Sequence, residues 1–160
     1  MGGGALITEN AGEFSAALPD GGVLMGLDLG TRTIGTAFCD AGWRFATAAK
    51  TLPRGKFSRD FGALQALVAE RGVRGVVIGL PLNMDGSGGP RAQASRAFAR
   101  NLNPLQLPVL LWDERWSTAS AERAMIDQDM SRAKRAERID SHAAAVILQG
   151  AIDRLAGGII

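Results

Sequence analysis

Three acids stand within or at the ends of apolar elements, and for one of them, Asp28, an ordinary surface charge is a poor explanation. Asp28 falls inside GLDLGTRTIG (26–35), on a run over 23–29 that is apolar on both faces, as in a strand covered on both sides of a sheet. On such a strand Asp28 shares a face with Leu24 and Gly26. An unpaired carboxylate there is expensive, so a cation or a set of donors has to compensate it. Glu114 comes just after the apolar stretch PVLLW (108–112), where loops leave a sheet and sites form. Asp140 opens a predicted helix over 140–155. Ala144, Ile147, Ala151 and Leu155 recur on its own side of that helix, which turns Asp140 toward the sheet. Were the first and last strands neighbours, all three carboxylates would meet at one rim. Hard oxygen donors without His or Cys partners suit magnesium or manganese.

Plainer readings compete for two of the three. Asp140 fits a helix N-terminus, which favours acids, and Glu114 can pair with Arg115 or Arg123. Asp113 faces opposite Glu114 along the strand and suits structural hydrogen bonds. His142, the one histidine, lies about 200° around the helix from Asp140 and suits polar packing better than ligation. Trp112 belongs in the core, and Trp116 offers a ring on which a base can stack.

The elements that must position these acids follow from periodicity and punctuation. After the first strand, residues 33–40 and 43–50 alternate as strands about a turn at Ala41-Gly42, and 51–59 form a basic loop. Phe57, Phe61, Leu64, Leu67 and Val68 recur at helical spacing until Gly72. GVVIGL (75–80) is a short buried strand. The loop PLNMDGSGG leads to Pro90, well suited to the first turn of a helix reaching Asn101. Residues 108–112 form another strand, Ser117 or Thr118 caps a helix over about 118–126, and 127–138 read as polar and mobile. Three strands followed by helix–strand alternation predict a mixed five-stranded sheet with helices on both faces.

Within this frame the loop 83–89 packs Gly86, Ser87, Gly88 and Gly89 ahead of a helix N-terminus, an arrangement favourable to an anion. It matches neither common nucleotide-binding glycine pattern. Asn83 and Asp85 either position substrate or order the loop. Arg32, Arg91, Arg115, Lys134 and Arg138 adjoin the motifs and could contact a phosphate backbone, although the basic run over 131–138 fits a solvated helix face equally well.

Overall charge is a modest +2, but residues 1–31 hold four acids and no base, leaving 18 bases against 12 acids in the remainder. Fifteen of the bases are arginine, the side chain suited to bidentate phosphate contact. A lone Cys39 excludes a disulfide framework and fits a reducing cytoplasm. No stretch approaches a membrane span, and MGGGALITEN lacks the features of a signal peptide. Residues 1–21 read as a loose polar extension before one domain over 22–157.

GLDLGTRTIG (26–35), VIGLPLNMDGSGGPRAQA (77–94), DERWST (113–118) and IDSHAAAVIL (139–148) together resemble the YqgF/RuvX family, in the family's order, over about residues 22–156. The resemblance implies an RNase H-like fold and a metal-dependent nuclease acting in 5′-end maturation of the 16S ribosomal RNA precursor. Association with the ribosome and a monomer or weak homodimer go with that reading. It implies that Asp28, Glu114 and Asp140 are catalytic carboxylates holding one or two magnesium (or manganese) ions, and that Gly30 and Thr31 let the backbone pass close to a phosphate. The N-terminal extension, Arg138 in place of a common lysine, and Trp116 in place of an aliphatic residue depart from the family pattern.

Two other classes compete. One is a Holliday junction resolvase acting on branched DNA; the other is a non-catalytic RNA-binding or transcription-associated module on the same fold. The first motif also looks like the phosphate loop of actin-like ATPases. Those need two such domains and a second loop of the DLGGGT type, and this chain has neither.

Overall fold

The structure, a computed structural model, describes residues 5–116 and 132–156, the side chains of 116 and 132–141 excepted. Its elements in chain order are β1 (Ile7–Thr8), α1 (Ala11–Ala16), β2 (Leu24–Leu29), β3 (Thr33–Cys39), β4 (Ala46–Pro53), α2 (Phe57–Arg71), β5 (Gly75–Leu80), α3 (Pro90–Asn101), β6 (Val109–Asp113) and α4 (Arg132–Ala156). The runs read as apolar on both faces, β2 and β5, are buried along their whole length. Gly72 adopts a left-handed conformation (φ 62°) and its N–H closes α2 onto the Val68 carbonyl, a helix end that glycine supplies without steric cost.

One mixed sheet results, in the order β1-β6-β5-β2-β3-β4. β2, β3 and β4 are antiparallel neighbours, whereas β2, β5, β6 and β1 run parallel. α4 covers one face, where Leu24, Val77, Leu110 and Trp112 pack with Ala144, Ile147, Leu148 and Ala151. α2 and α3 cover the other, where Met25, Leu27, Ile78 and Leu111 meet Leu64, Leu67, Phe98 and Ala99. The predicted α/β, RNase H-like architecture is therefore present, with six strands in place of five.

The sixth strand comes from the segment expected to be a loose extension. β1 adds parallel to β6, pairing Ile7 with Val109 and Thr8 with Leu110. In α1 the Asn10 side chain accepts the Glu13 N–H as a cap, and Phe14 is fully buried against the core. Phe14 from the helix and Leu18 just after it, together with the pairing of β1 on β6, anchor residues 5–18 at the sheet edge.

Two other boundaries move. β4 begins at Ala46 rather than 43, because the Asp40 carboxylate accepts the N–H groups of Gly42, Arg44 and Phe45 and widens the turn. Trp43 sits in that turn with φ 58°, its indole donating to the Gly22 carbonyl at 2.7 Å. α4 extends N-terminally to Arg132, so Asp140 lies inside a helix rather than at its start. Of the polar segment 127–138, expected to be mobile, residues 132–138 are helical, while 127–131 and the helix expected over 118–126 lie outside the described residues. Among the described residues no helix is long and apolar enough to cross a membrane.

Candidate active site

Asp28 is 2% exposed, near the C-terminal end of β2 and opposite Gly35 of β3. Alternation places it on the α4 side: a Cβ at Gly26, two residues earlier, would lie 2.8 Å from Leu148 Cβ and 3.2 Å from the Ala144 carbonyl. Glu114 opens a 3-10 turn (Glu114–Trp116) directly after β6. Its carboxylate reaches back over β5, so that a Cβ at Gly79 would lie 3.0 Å from Glu114 Oε2. The two acids thus share one face and one rim of the sheet.

They do so without the strands being neighbours. β5 intervenes between β2 and β6, contrary to the adjacency supposed from sequence. β5 bridges the gap because its residue at that level, Gly79, has no side chain to block it. The one sequence signal for this missed residue, Gly79, is a glycine inside an apolar strand, which marks a close approach; only the register reveals what approaches.

Asp140 stands one turn before Ala144 in α4, and Ala144, Ile147, Ala151 and Leu155 form the buried stripe the spacing predicts. The Asp140 side chain lies outside the described residues, as do those of Lys134, Arg138 and Trp116. Among the described residues no group of three His, Cys, Asp or Glu side chains is assembled. Asp28 and Glu114 are hard oxygen donors on either side of a residue with no Cβ, and this donor chemistry fits magnesium or manganese.

Asp113 points to the other face and binds Arg115, whose guanidinium donates to both carboxylate oxygens at 2.7–3.1 Å. Partial burial works to raise the Asp113 pKa, but the hydrogen bonds from Arg115 outweigh it and the carboxyl titrates below the ordinary aspartate range. Arg115 also donates to the Met84 carbonyl at 3.2 Å. It therefore ties the 83–88 loop to the end of β6, adjacent to Glu114.

That loop is closed on itself. Asn83 and Ser87 bond through backbone (2.8 Å) and side chains (2.9 Å). Asp85 accepts the Ser87 hydroxyl at 2.6 Å and its N–H at 2.9 Å, bonds that lower its pKa. Of the two roles open to Asn83 and Asp85, ordering the loop is the one these contacts support. Met84, 90% exposed, is left at the tip.

Thr31 and Arg32 are exposed in the turn between β2 and β3. Arg54, which sequence reading passed over within the basic loop, fixes that turn. Its guanidinium donates to the Gly30 carbonyl at 2.6 Å, its N–H donates to the Arg32 carbonyl at 2.8 Å, and its side chain lies over the Phe98 ring. Thr31, Arg54 and Arg91 line one cavity of about 180 Å³ beside the start of α3, so the structure brings Thr31 and Arg91 together. Larger clefts of about 430 and 420 Å³ lie around α1 and Arg154, and the second of them also reaches Trp112 and Asp113 at the end of β6.

Known proteins resemble this chain closely. A family model described as "RuvX: Holliday junction resolvase" matches residues 22–154. A protein of Novosphingobium aromaticivorans, named a candidate pre-16S rRNA nuclease, is 68% identical over 152 residues, covering 95% of this chain and 98% of its own length. One of the same name from Sphingopyxis alaskensis is 69% identical over 150 residues, covering 94% and 99%. Among solved structures, T. thermophilus RuvC in complex with a Holliday junction substrate superposes with a TM-score of 0.53 over 84% of this chain and 96% of its own, at 13% identity. That likeness bears on the fold alone and agrees with the RNase H-like sheet. By its sequence over residues 22–154 and by its fold, the chain belongs to the RuvX family.

Proposed function

We propose that this chain is a metal-dependent nuclease acting on the precursor of 16S ribosomal RNA. Membership of the family makes it a hydrolase of phosphodiester bonds; the RNA substrate follows the names of its most similar relatives. The observation that carries the reading is a carboxylate, Asp28, 2% exposed near the C-terminal end of β2, on the same face and rim as Glu114.

In this reading Asp28, Glu114 and Asp140 hold magnesium or manganese. Such an ion, when bound, lowers the pKa of a water and stabilises the leaving oxygen. The chain's own residues bind and orient the substrate. The turn fixed by Arg54 presents Thr31 and Arg32, and Arg91 offers a second cation at the same cavity, suited to successive phosphates. Arg115 steadies the 83–88 loop through Asp113 and Met84, and Lys134 and Arg138 on α4 add cationic contacts. A cytoplasmic location, transient association with the ribosome, and a monomer or weak homodimer complete the proposal.

The test compares wild type with Asp28→Asn on a 16S precursor fragment and on a four-way DNA junction, with magnesium, manganese or EDTA, recording binding alongside cleavage. RNA cleavage that disappears with EDTA and with Asp28→Asn, while RNA binding persists, is the expected result. Cleavage of the junction alone would transfer the activity to branched DNA. Binding without cleavage in every metal would make the chain a non-catalytic module.

A further inference from the structure

We propose that Gly79 is a positioning residue for Glu114: the side chain it lacks is the space in which the Glu114 carboxylate sits, one strand away from Asp28. The inference rests on the nuclease reading above and assigns a role to a residue outside the carboxylate set.

The register brings the three positions together. β2 and β5 pair in parallel up to Leu27 with Ile78, which sets Asp28 and Gly79 next in line. β5 and β6 pair Gly79 with Trp112, two residues before Glu114. A Cβ at Gly79 would stand 3.0 Å from Glu114 Oε2 and 3.2 Å from its Cδ, and 2.6 Å from Ile147 Cδ1 of α4. The backbone does not demand glycine there, since among the described glycines the left-handed φ values fall at positions 21, 22, 72 and 86. Every other residue from Val76 to Leu80 is a buried aliphatic, and glycine weakens a strand interior unless something approaches closely. Here two things do, the carboxylate and the Ile147 methyl.

The two contacts separate chemically. Ile147→Val removes the Cδ1 methyl and so relieves the packing clash of Gly79→Ala, while leaving the clash with Glu114. A carboxylate displaced by a few tenths of an ångström still lets the chain fold, yet coordination distances tolerate only about 0.2 Å. Metal affinity and stability should therefore respond differently to the same methyl group.

The experiment measures Mn²⁺ affinity by EPR and the thermal midpoint for the full chain as wild type, Asp28→Asn, Gly79→Ala, Ile147→Val and the Gly79→Ala/Ile147→Val pair. Relative to Ile147→Val, the double variant is expected to recover the midpoint but to bind Mn²⁺ roughly tenfold more weakly or worse, the range for groups that orient ligands. Recovery of Mn²⁺ affinity along with the midpoint overturns the proposal, because Gly79 then serves only the packing of α4. A double variant that does not fold overturns it for the same reason. Wild type that binds no Mn²⁺, or binds it as Asp28→Asn does, overturns the metal-dependent reading itself and this inference with it.

Discussion

At the scale of single residues, what distinguishes Asp113 from Glu114 is one step along a strand. Adjacent positions face opposite sides, so Glu114 joins Asp28 while Asp113 takes up Arg115. Arg115 carries an argument of its own. Its pairing with Asp113 is partly exposed, and pairs of that kind contribute little to stability; its bond to the Met84 carbonyl nevertheless holds a loop whose side-chain hydrogen bonds are otherwise internal among the described residues. Arg115→Ala is therefore expected to leave the midpoint of a denaturant melt nearly unchanged while speeding amide exchange over 83–88. Unchanged exchange in that loop would show that its internal Asn83–Asp85–Ser87 bonds suffice. Asp28 was legible in the sequence because an acid within a strand apolar on both faces is costly unless compensated; Glu114 was legible only as an acid where a loop leaves the sheet, with surface pairing as the rival reading. Arg54 was not, because it acts through backbone carbonyls; Gly79 was half legible, since a glycine inside an apolar strand marks a close approach but only the register says what approaches.

At the scale of elements, interior strands and glycine- or proline-punctuated helices were readable, whereas the β3–β4 connection was not. The alternation over 43–50 continues smoothly through Trp43, but the Asp40 side chain replaces strand pairing with its own hydrogen bonds. Those bonds make the turn pH-sensitive. The N–H groups of Phe45 and Arg44, the largest contributors, bring the Asp40 pKa down from 3.8 to about 2. A carboxyl held below its unfolded value stabilises the fold fully above the unfolded pKa, and that contribution fades as pH falls through the folded one. Stability of the wild type should thus decline more steeply between about pH 4 and pH 2 than that of Asp40→Asn, in urea melts taken across this window. Parallel declines in the two proteins would mean that Asp40 is not the titrating group, and that the other lowered carboxyls, Asp85 and Asp113, account for the acid sensitivity.

At the scale of the whole molecule, the segment before residue 22 changes the account of stability and of the site together. It lies outside the residues the family model matches, and a two-residue strand with a six-residue helix gives too short a period to detect. Its one readable signal is Asn10 followed three residues later by Glu13, a helix start, with Phe14 and Leu18 four apart behind it. In the fold those two side chains come to the beginning of β5: a Cβ at Gly75 would lie 2.9 Å from both. β1 meanwhile pairs with β6, and the Val109 N–H donates to the Leu6 carbonyl at 2.8 Å. The segment therefore braces the two strands that carry Gly79 and Glu114. Phe14→Ala, which empties a fully buried site, is expected to cost roughly 3–5 kcal/mol, read as a lower urea midpoint with an unchanged slope. Deleting residues 1–21 should cost at least as much and also strip the partner from β6, an edge open to pairing with another chain. Light scattering of the deleted protein would then detect oligomers that Phe14→Ala, with β1 still in place, does not form. If the deleted chain instead melts like the full one and remains at the same mass, β6 tolerates being an edge and the bracing assigned to this segment is wrong.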